Sequence, residues 1–578
     1  MAYRMKTMDE VNRVSTRVPA RFAESSDVSE ITSLPTAVMS WILDSVGFAD
    51  LVNTSVQWDP SQCRVTPGDA VKAMVLTMTM DAYRPALENV ARRFCGQPVG
   101  LMFDSVSSAA DLDPDMLART LDRVHDADPV KLFMTVSAAL RSRFGIVSKI
   151  VHSDTTSVSV RGTYDVDDPE SMTITRGYSK DRRPDLLQFM IGAAVDENGF
   201  SDLSMPLDGN AADSEWNGIC LDLLKDVLKE RNLIYVADSK LVNGPLVDRM
   251  IADGTMFLSR CPEGFEKQLQ RKVLASVDTD SMEDIGIVGR GNRCASRKIF
   301  GTDVIYKGTV LRAIAVKSDK LAGRGDRAVL KSISAAEDLL SSFRTEYHCQ
   351  KDAADAFLKL SKKISKTVCR VSAEYVHDVA ESRPRGRPRK DGTDVRRADR
   401  WTVDVTSVVD EEKREALWRS KEMIVLLSNL PMPADDSGNG MSDADLVKLY
   451  ANEWKVEGLF KTLKTPMMVR RIFLKTPGRA EALVEVVLIA ALVRAVMQLL
   501  IRRGLEDIPD SELPDYGYGR GRLQRTVTSD FFIDSCTNCR VIREGGRFFF
   551  GKGTDERSRF YLDLIGISPE ALFTPSLV

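Results

Sequence analysis

Three acidic residues stand where this chain could do metal chemistry. Asp154 falls in KIVHSDTTSVSV, a β-branched, alternating run that signals a strand, and Thr155 and Thr156 follow it. Asp238 closes LIYVAD, a short apolar strand, at the end from which functional groups emerge into a crevice in α/β sheets. Glu457 lies in a segment, 442–464, that reads as one helix, with Ser442 as N-cap and Asp443 and Asp445 in its first turn. Along it Tyr450, Glu457 and Lys464 recur every seventh residue, about two turns apart, and so share a face. Three converging carboxylates without His or Cys suit a hard cation, Mg2+ or Mn2+. Two such ions about 3.5–4 Å apart can activate a water or a 3′-hydroxyl and stabilise the leaving oxygen at a phosphodiester. Each residue alone has an ordinary explanation, as a turn cap or a solvated helix side chain. The three together carry the chemical reading.

Composition narrows the alternatives. With 43% hydrophobic and 28% charged residues, the 578-residue chain has an ordinary folded composition, long enough for several domains. Lys and Arg number 80 against 83 Asp and Glu, so any basic surface must be local. Four His leave little room for a His metal cage, and nine scattered Cys fit a reducing compartment. Cys536 and Cys539 form a CxxC with no second pair at zinc-ribbon spacing, which favours free thiols. There is no Walker A, GxSxG or HExxH motif, so no nucleotide cofactor, serine hydrolase or zincin is expected. The apolar stretch 482–501 contains Glu485 and Arg494, each costing roughly 2.5–3.5 kcal/mol at a bilayer centre. A buried helix is therefore expected there, with no membrane partner. The start, MAYRMKTMDEVNR, has no signal-peptide pattern, and a cytoplasmic protein is expected.

The elements that must position these residues follow from periodicity. Residues 1–147 read as a helical domain for DNA binding or assembly, with Leu117, Leu121 and Val124 at helical spacing and a helix over 70–80. Residues 148–262 read as the first part of an α/β mixed-sheet core. Strands are expected over 149–160, 186–195, 200–207, 233–237 and 256–259, with a helix over 212–230. Residues 263–440 read as a mixed α+β insertion, with an exposed loop at 382–400 and a linker at 435–440. The core resumes over 441–505 with the Glu457 helix, and 506–578 is a tail without assigned elements.

The motifs in order resemble the DDE transposases of bacterial insertion sequences, in the large IS-four-like group with an RNase H-like catalytic domain. His152-Ser153-Asp154-Thr155-Thr156-Ser157 is similar to the family's first-Asp strand, and the run Gly177 to Leu186 to its loop GxSKDxRPDL. Asp208-Gly209-Asn210 with Asp213 is similar to the stretch before its middle helix, and Val236-Ala237-Asp238 to its second-Asp strand. Its signature Y-x2-R-x3-E-x6-K is met by Tyr450, Glu457 and Lys464, with Glu453 in the Arg position, where Lys455 or Lys461 could compensate as a phosphate contact. The N-terminal stretch resembles the helical domain that one branch carries before its core. The resemblance implies cut-and-paste transposition: hydrolysis at the element's ends, then attack of the freed 3′-hydroxyls on target DNA. It implies that Asp154, Asp238 and Glu457 hold Mg2+ or Mn2+, two ions in all. Tyr450 and Lys464 would contact phosphates, and the 263–440 region corresponds to the family's insertion before its Glu. The partners implied are double-stranded DNA, as terminal inverted repeats and target, and a second copy of the chain in a dimer on DNA at the nucleoid.

Two basic segments add DNA-binding candidates. The run Arg383-Pro384-Arg385-Gly386-Arg387-Pro388-Arg389-Lys390 resembles an AT-hook, in which Arg side chains enter a narrow A·T minor groove. The alternative is a basic linker with non-specific affinity. Arg176, Lys180, Arg182 and Arg183 form a second basic loop near the first carboxylate, for phosphate binding or for surface ion pairs. Two rival functions stay open: a silent DNA-binding descendant, and an RNase H-like nuclease that cuts without joining. Replacing Arg385 and Arg387 together by Ala is expected to weaken DNA binding and flatten its salt dependence in a titration across salt concentrations. An unchanged affinity and slope would contradict the minor-groove reading.

Overall fold

The computed structural model describes residues 29–31, 33–79, 87–162, 164, 169, 171–289, 294–382, 396–433, 440–464, 474, 476–513, 525–536, 539–544, 547–550, 556–568 and 571–573. They form a mixed α/β protein of two compact units, Met1–Ala237 with Glu453–Val578, and Asp238–Asn452.

The first unit opens with a short strand, β1 (Ser29–Ile31), and continues as helices from Leu34 to Arg143. Their starts are written locally. Asp113 accepts the N–H groups of Asp115 and Met116 ahead of Pro114, and Asp128 accepts that of Lys131 ahead of Pro129. Then β2 (Ile150–Val160), β3 (Leu187–Asp196) and β4 (Ser201–Leu207) form an antiparallel meander. The short β5 (Ile234–Ala237) pairs with β2 in parallel, giving the order β4-β3-β2-β5. β3 is buried along all but its first residue, as its continuous apolar run requires. Gly192 sits mid-strand because Trp216 lies over it: a Cβ there would come 2.4 Å from the indole ring. Trp216 belongs to the Asp213–Leu223 helix and donates to Ser153 Oγ at 2.8 Å, fixing that helix over β2 and β3. The single helix expected over 212–230 is two, dividing at Leu224 before Lys225–Glu230.

In the second unit the sheet runs β6-β13-β9-β8-β7, made of β6 (Met256–Arg260), β7 (Glu283–Val288), β8 (Ala295–Tyr306), β9 (Thr309–Ser318) and β13 (Met423–Ser428). All of its pairings are antiparallel. A smaller sheet joins β10 (Glu346–Tyr347) to a long ribbon of β11 (Cys369–Ser382) and β12 (Arg396–Val409), packed at its base on Leu360 and Ile364. Of the segment expected as a loop over 382–400, residues 383–395 lie outside the described residues, Ser382 belongs to β11 and 396–400 belong to β12. Arg397 pairs with Glu381 there at 2.9 Å. Cross-strand charge pairs stabilise this ribbon where apolar alternation is missing, and that hid its distal half in the sequence. The unit begins at Asp238 and includes β6, so it is wider than the insertion expected over 263–440.

The chain returns to the first unit with the Trp454–Lys464 helix and a long helix, Pro477–Glu506. Past these, β14 (Val541–Glu544) pairs with β1 and with β15 (Arg547–Phe550). The described residues of 1–147 and 506–578 belong to this one unit. Their buried residues share one core with β2, β3 and the long helix. The cause is the long helix, which is apolar all round and buries residues from Pro477 to Leu505 against the N-terminal helices and β4. By length and composition it could cross a membrane, yet 83% of its most apolar window is buried within the protein.

The two charges in that helix are treated differently. Arg494 pairs with Asp530 and lies 3.4 Å from Ser529 Oγ. Glu485 is fully buried, and neither carboxyl oxygen has a hydrogen-bond partner. Burial holds its pKa well above the ordinary carboxylate range, and Glu481 and Asp128 push it further. A raised folded-state pKa means that its contribution is fully present below the ordinary value and is lost as pH rises toward the folded one. Glu485→Gln is therefore expected to raise the melting temperature more at pH 8 than at pH 4. Equal changes at both pH values would contradict a neutral Glu485.

Candidate active site

The pairing of β2 with β5 places two of the three carboxylates. Its register runs from Ile150 beside Ile234 to Ser153 beside Ala237. The next residue along each strand is an aspartate, Asp154 on β2 and Asp238 immediately after β5. Asp238 turns into its loop by accepting the N–H of Lys240 at 2.9 Å, and its carbonyl accepts from Ser259 Oγ at 2.6 Å.

Glu457 lies in the Trp454–Lys464 helix, which packs on β2 and β3. The expectation of one helix over 442–464 is corrected. Asp443–Tyr450 ends in a 3-10 turn, Ala451–Glu453, before the next helix begins. Asn452, a poor helix-interior residue, lies in that turn. Ser442 does cap the first helix, accepting from Asp445 N. Glu457 and Lys464 share a helix, whereas Tyr450 closes the one before it, so the common face of all three is lost.

Alternation along β2 puts His152 on the face of Asp154. His152 is buried, and neither ring nitrogen has a hydrogen-bond partner. Burial pushes its pKa down to about 4, helped by the charge of Lys455. The imidazole is neutral at neutral pH.

Beside Asp154 the loop residue Lys180 is held from several sides. Its Nζ lies 2.8 Å from both the carbonyl and Oγ1 of Thr155, 3.1 Å from Asp213 Oδ1 and 3.4 Å from Asp154 Oδ1. Thr155 Oγ1 in turn donates to Asp213. Burial draws the Lys180 pKa down, but Asp154 and Asp213 outweigh it, and the net shift is upward. The loop's backbone is pinned where Lys180 N donates to Ser157 Oγ at 2.8 Å. On its other side Asp181 pairs with Lys464 at 2.7 Å, tying the loop to the Glu457 helix.

Two glycines let this loop meet the next motif. A Cβ on Gly177 would stand 2.1 Å from the carbonyl oxygen of Gly209, and one on Gly209 would stand 2.1 Å from that of Gln188. Gln188 Nε2 donates to the Gly209 carbonyl at 2.6 Å, and Asp208 accepts from Thr173 N at 2.6 Å. Thus the loop after Gly177 and the stretch from Asp208 to Asp213 form one layer around Lys180.

The remaining expected DNA-binding residues are placed unevenly. Lys461 is exposed, and Lys455 is partly buried near His152. Arg182 is exposed on a left-handed turn residue, φ 59°. Arg183 is exposed and pairs with Asp185 at 2.6 Å; that hydrogen bond holds the Asp185 carboxyl down at about 2. Arg383, Arg385, Arg387 and Arg389 lie outside the described residues. Asp213, just ahead of Trp216 in the sequence, is brought by its helix to the Lys180 ammonium, a contact that no local sequence pattern announces. Cys536 and Cys539 are both buried.

Among the described residues no three His, Cys, Asp or Glu side chains are grouped as a metal cage. Mg2+ does not need one, being commonly held by one or two carboxylates, waters and substrate phosphates. The oxygen-only donors of Asp154 and Asp238 fit such a hard cation in chemistry.

A family model described as a domain of unknown function (DUF4277) matches residues 28–138. No curated protein matches the chain. Among solved structures it is similar to the cryo-EM structure of piggyBac transposase in a synaptic complex with hairpin DNA. The identity is 10%, over 89% of this chain and 82% of that one, with a TM-score of 0.34.

The contact between Gly177 and Gly209 gives a structural test. Gly177→Ala must push the loop off Gly209 and is expected to cost about 1–3 kcal/mol in a denaturant titration. It should also speed protease cleavage within 177–186. Unchanged stability and protection would contradict the packed-loop account.

Proposed function

We propose that this chain is a DDE transposase of a bacterial insertion sequence, with an RNase H-like core, that binds element-end DNA, hydrolyses a phosphodiester there and joins the freed 3′-hydroxyl to target DNA. The observation that carries the reading is the parallel register of β2 and β5, which brings the chain to Asp154 and Asp238 at the same step. The motif order supports it, as does the packing of the Glu457 helix on β2 and β3.

In this reading Asp154, Asp238 and Glu457 are the residues that would hold Mg2+ or Mn2+, two ions in all. When bound, such ions polarise the scissile phosphate and lower the pKa of an attacking water or hydroxyl. The protein's part is to hold charge in place. Trp216 and Gly192 fix β2 against β3, so that Asp154 has a rigid footing. Neutral His152 adds no positive charge beside it. Lys464, Lys455 and Lys461 line the Glu457 helix with cationic groups for phosphate oxygens, and exposed Arg182 and Arg183 extend that surface along the loop. Tyr450 would contact a phosphate near the scissile bond. The AT-hook-like run from Arg383 to Lys390 would hold flanking duplex. Two element ends must meet, so the working form is a dimer on double-stranded DNA, at the nucleoid in the cytoplasm.

A second reading has one residue in its favour. Glu453 stands where the family has Arg, and a carboxylate there repels phosphate, as in a silent DNA-binding descendant. End cleavage and strand transfer on precut ends separate the readings. Asp154→Ala, Asp238→Ala and Glu457→Ala are each expected to abolish metal-dependent nicking, at least 1000-fold as an order of magnitude, with DNA affinity nearly intact. Binding without cleavage by the wild type in either metal would favour the silent descendant. Nicking without joining would favour a nuclease.

A further inference from the structure

We infer that Asp213 is a positioning residue that takes up the Lys180 ammonium, so that Asp154 is released to a divalent cation. The inference rests on the cation-binding reading of Asp154 above and adds a residue with no role in that reading.

The geometry is specific. Lys180 Nζ has three N–H donors and four acceptors within reach. The Thr155 carbonyl and hydroxyl and Asp213 Oδ1 lie at 2.8, 2.8 and 3.1 Å, and Asp154 Oδ1 is the most distant at 3.4 Å. The two carboxylates thus share one ammonium, Asp213 holding the nearer side. A dication arriving at Asp154 would repel that ammonium strongly at such a distance. Lys180 can yield by giving up its longest contact alone, keeping three. Its main chain need not move, because the bond from Lys180 N to Ser157 Oγ is remote from the ammonium.

Asp213 is well built for this. It sits in the first turn of the Asp213–Leu223 helix, where a carboxylate is favoured by the helix dipole. Three residues on, Trp216 locks that helix to Ser153 on β2. Thr155, the neighbour of Asp154, donates its hydroxyl to Asp213, so the receiving carboxylate is registered to the strand that carries Asp154. Without Asp213, the charge of Lys180 would fall on Asp154 alone and compete directly with the cation. Without Lys180, Asp213 would keep only the Thr155 hydroxyl, and Asp154 would be freer to bind.

The test is Mn2+ affinity of the full chain without DNA, read from the electron paramagnetic resonance signal of free Mn2+. Asp213→Asn is expected to weaken binding roughly tenfold, the size typical of a partner one shell removed from a cation. Lys180→Gln is expected to tighten binding, and the double variant to match Lys180→Gln, because Asp213 acts through Lys180. A purely structural role for Asp213 would instead lower affinity in both backgrounds equally, and that result overturns the inference. So does an unchanged affinity in Asp213→Asn. If Asp213→Asn does not fold, Lys180→Gln decides alone, and a failure to tighten overturns the inference. Asp154→Asn separates the two levels. If it binds Mn2+ as the wild type does, the cation reading of Asp154 has failed; if it loses Mn2+ while Asp213→Asn does not, only the role of Asp213 has.

Discussion

Four residues of β5 lie beside four of β2 in parallel, and the chemistry proposed for this protein hangs on that short ladder. Parallel strands have no turn to set their register, so the register must come from packing. Here Tyr235 is buried and donates to Asn217 Oδ1 at 2.9 Å, tying β5 to the helix that Trp216 locks on β2. A slip of β5 by one residue would turn its own side-chain rows over and put Asp238 out of step with Asp154. With Ser153 held by Trp216 and Tyr235 held by Asn217 of the same helix, that slip is opposed, and the chain reaches Asp154 and Asp238 at the same step of the ladder.

Charge then has to be managed around Asp154. A carboxylate a quarter exposed, close to a second one at Asp213, needs a cation, and the loop after Gly177 supplies Lys180. The loop is brought there by close backbone approach, at Gly177 and Gly209, where no side chain fits. The next residue, Asp181, is held to Lys464, and through Lys464 to the Glu457 helix. Sheet, loop and helix are therefore coupled by ion pairs in which the loop supplies one cation and one anion. In the proposed function the same lysines would meet DNA phosphates, which would then compete with the internal carboxylates for them.

Much of this was legible in the sequence. The runs that became β2 to β6 are β-branched or continuously apolar, and their ends fell within a residue or two of expectation. Ser442 announced its helix, and the charges Glu485 and Arg494 marked the long apolar helix as a buried one. What the sequence hid was of three kinds. The seven-residue spacing of Tyr450, Glu457 and Lys464 runs straight through a 3-10 turn that periodicity cannot register. The pairing of β1 with β14 joins the two ends of the described chain, and no local pattern encodes such a contact. The grip of Lys180 on Asp213 depends on two loops meeting at glycines. The motifs there, GYSKD and DGN, were visible, but their mutual contact was not.

The central claim is that a divalent cation sits beside Asp154 and Asp238. Fe2+ in place of Mg2+, with ascorbate and peroxide, generates radicals that cut the polypeptide next to the bound ion, and the cut sites can be read by mass spectrometry. The account predicts cuts near Asp154 and Asp238, suppressed by excess Mg2+ and absent in Asp154→Asn. Cuts elsewhere in the chain, or cutting that Mg2+ does not suppress, would contradict it.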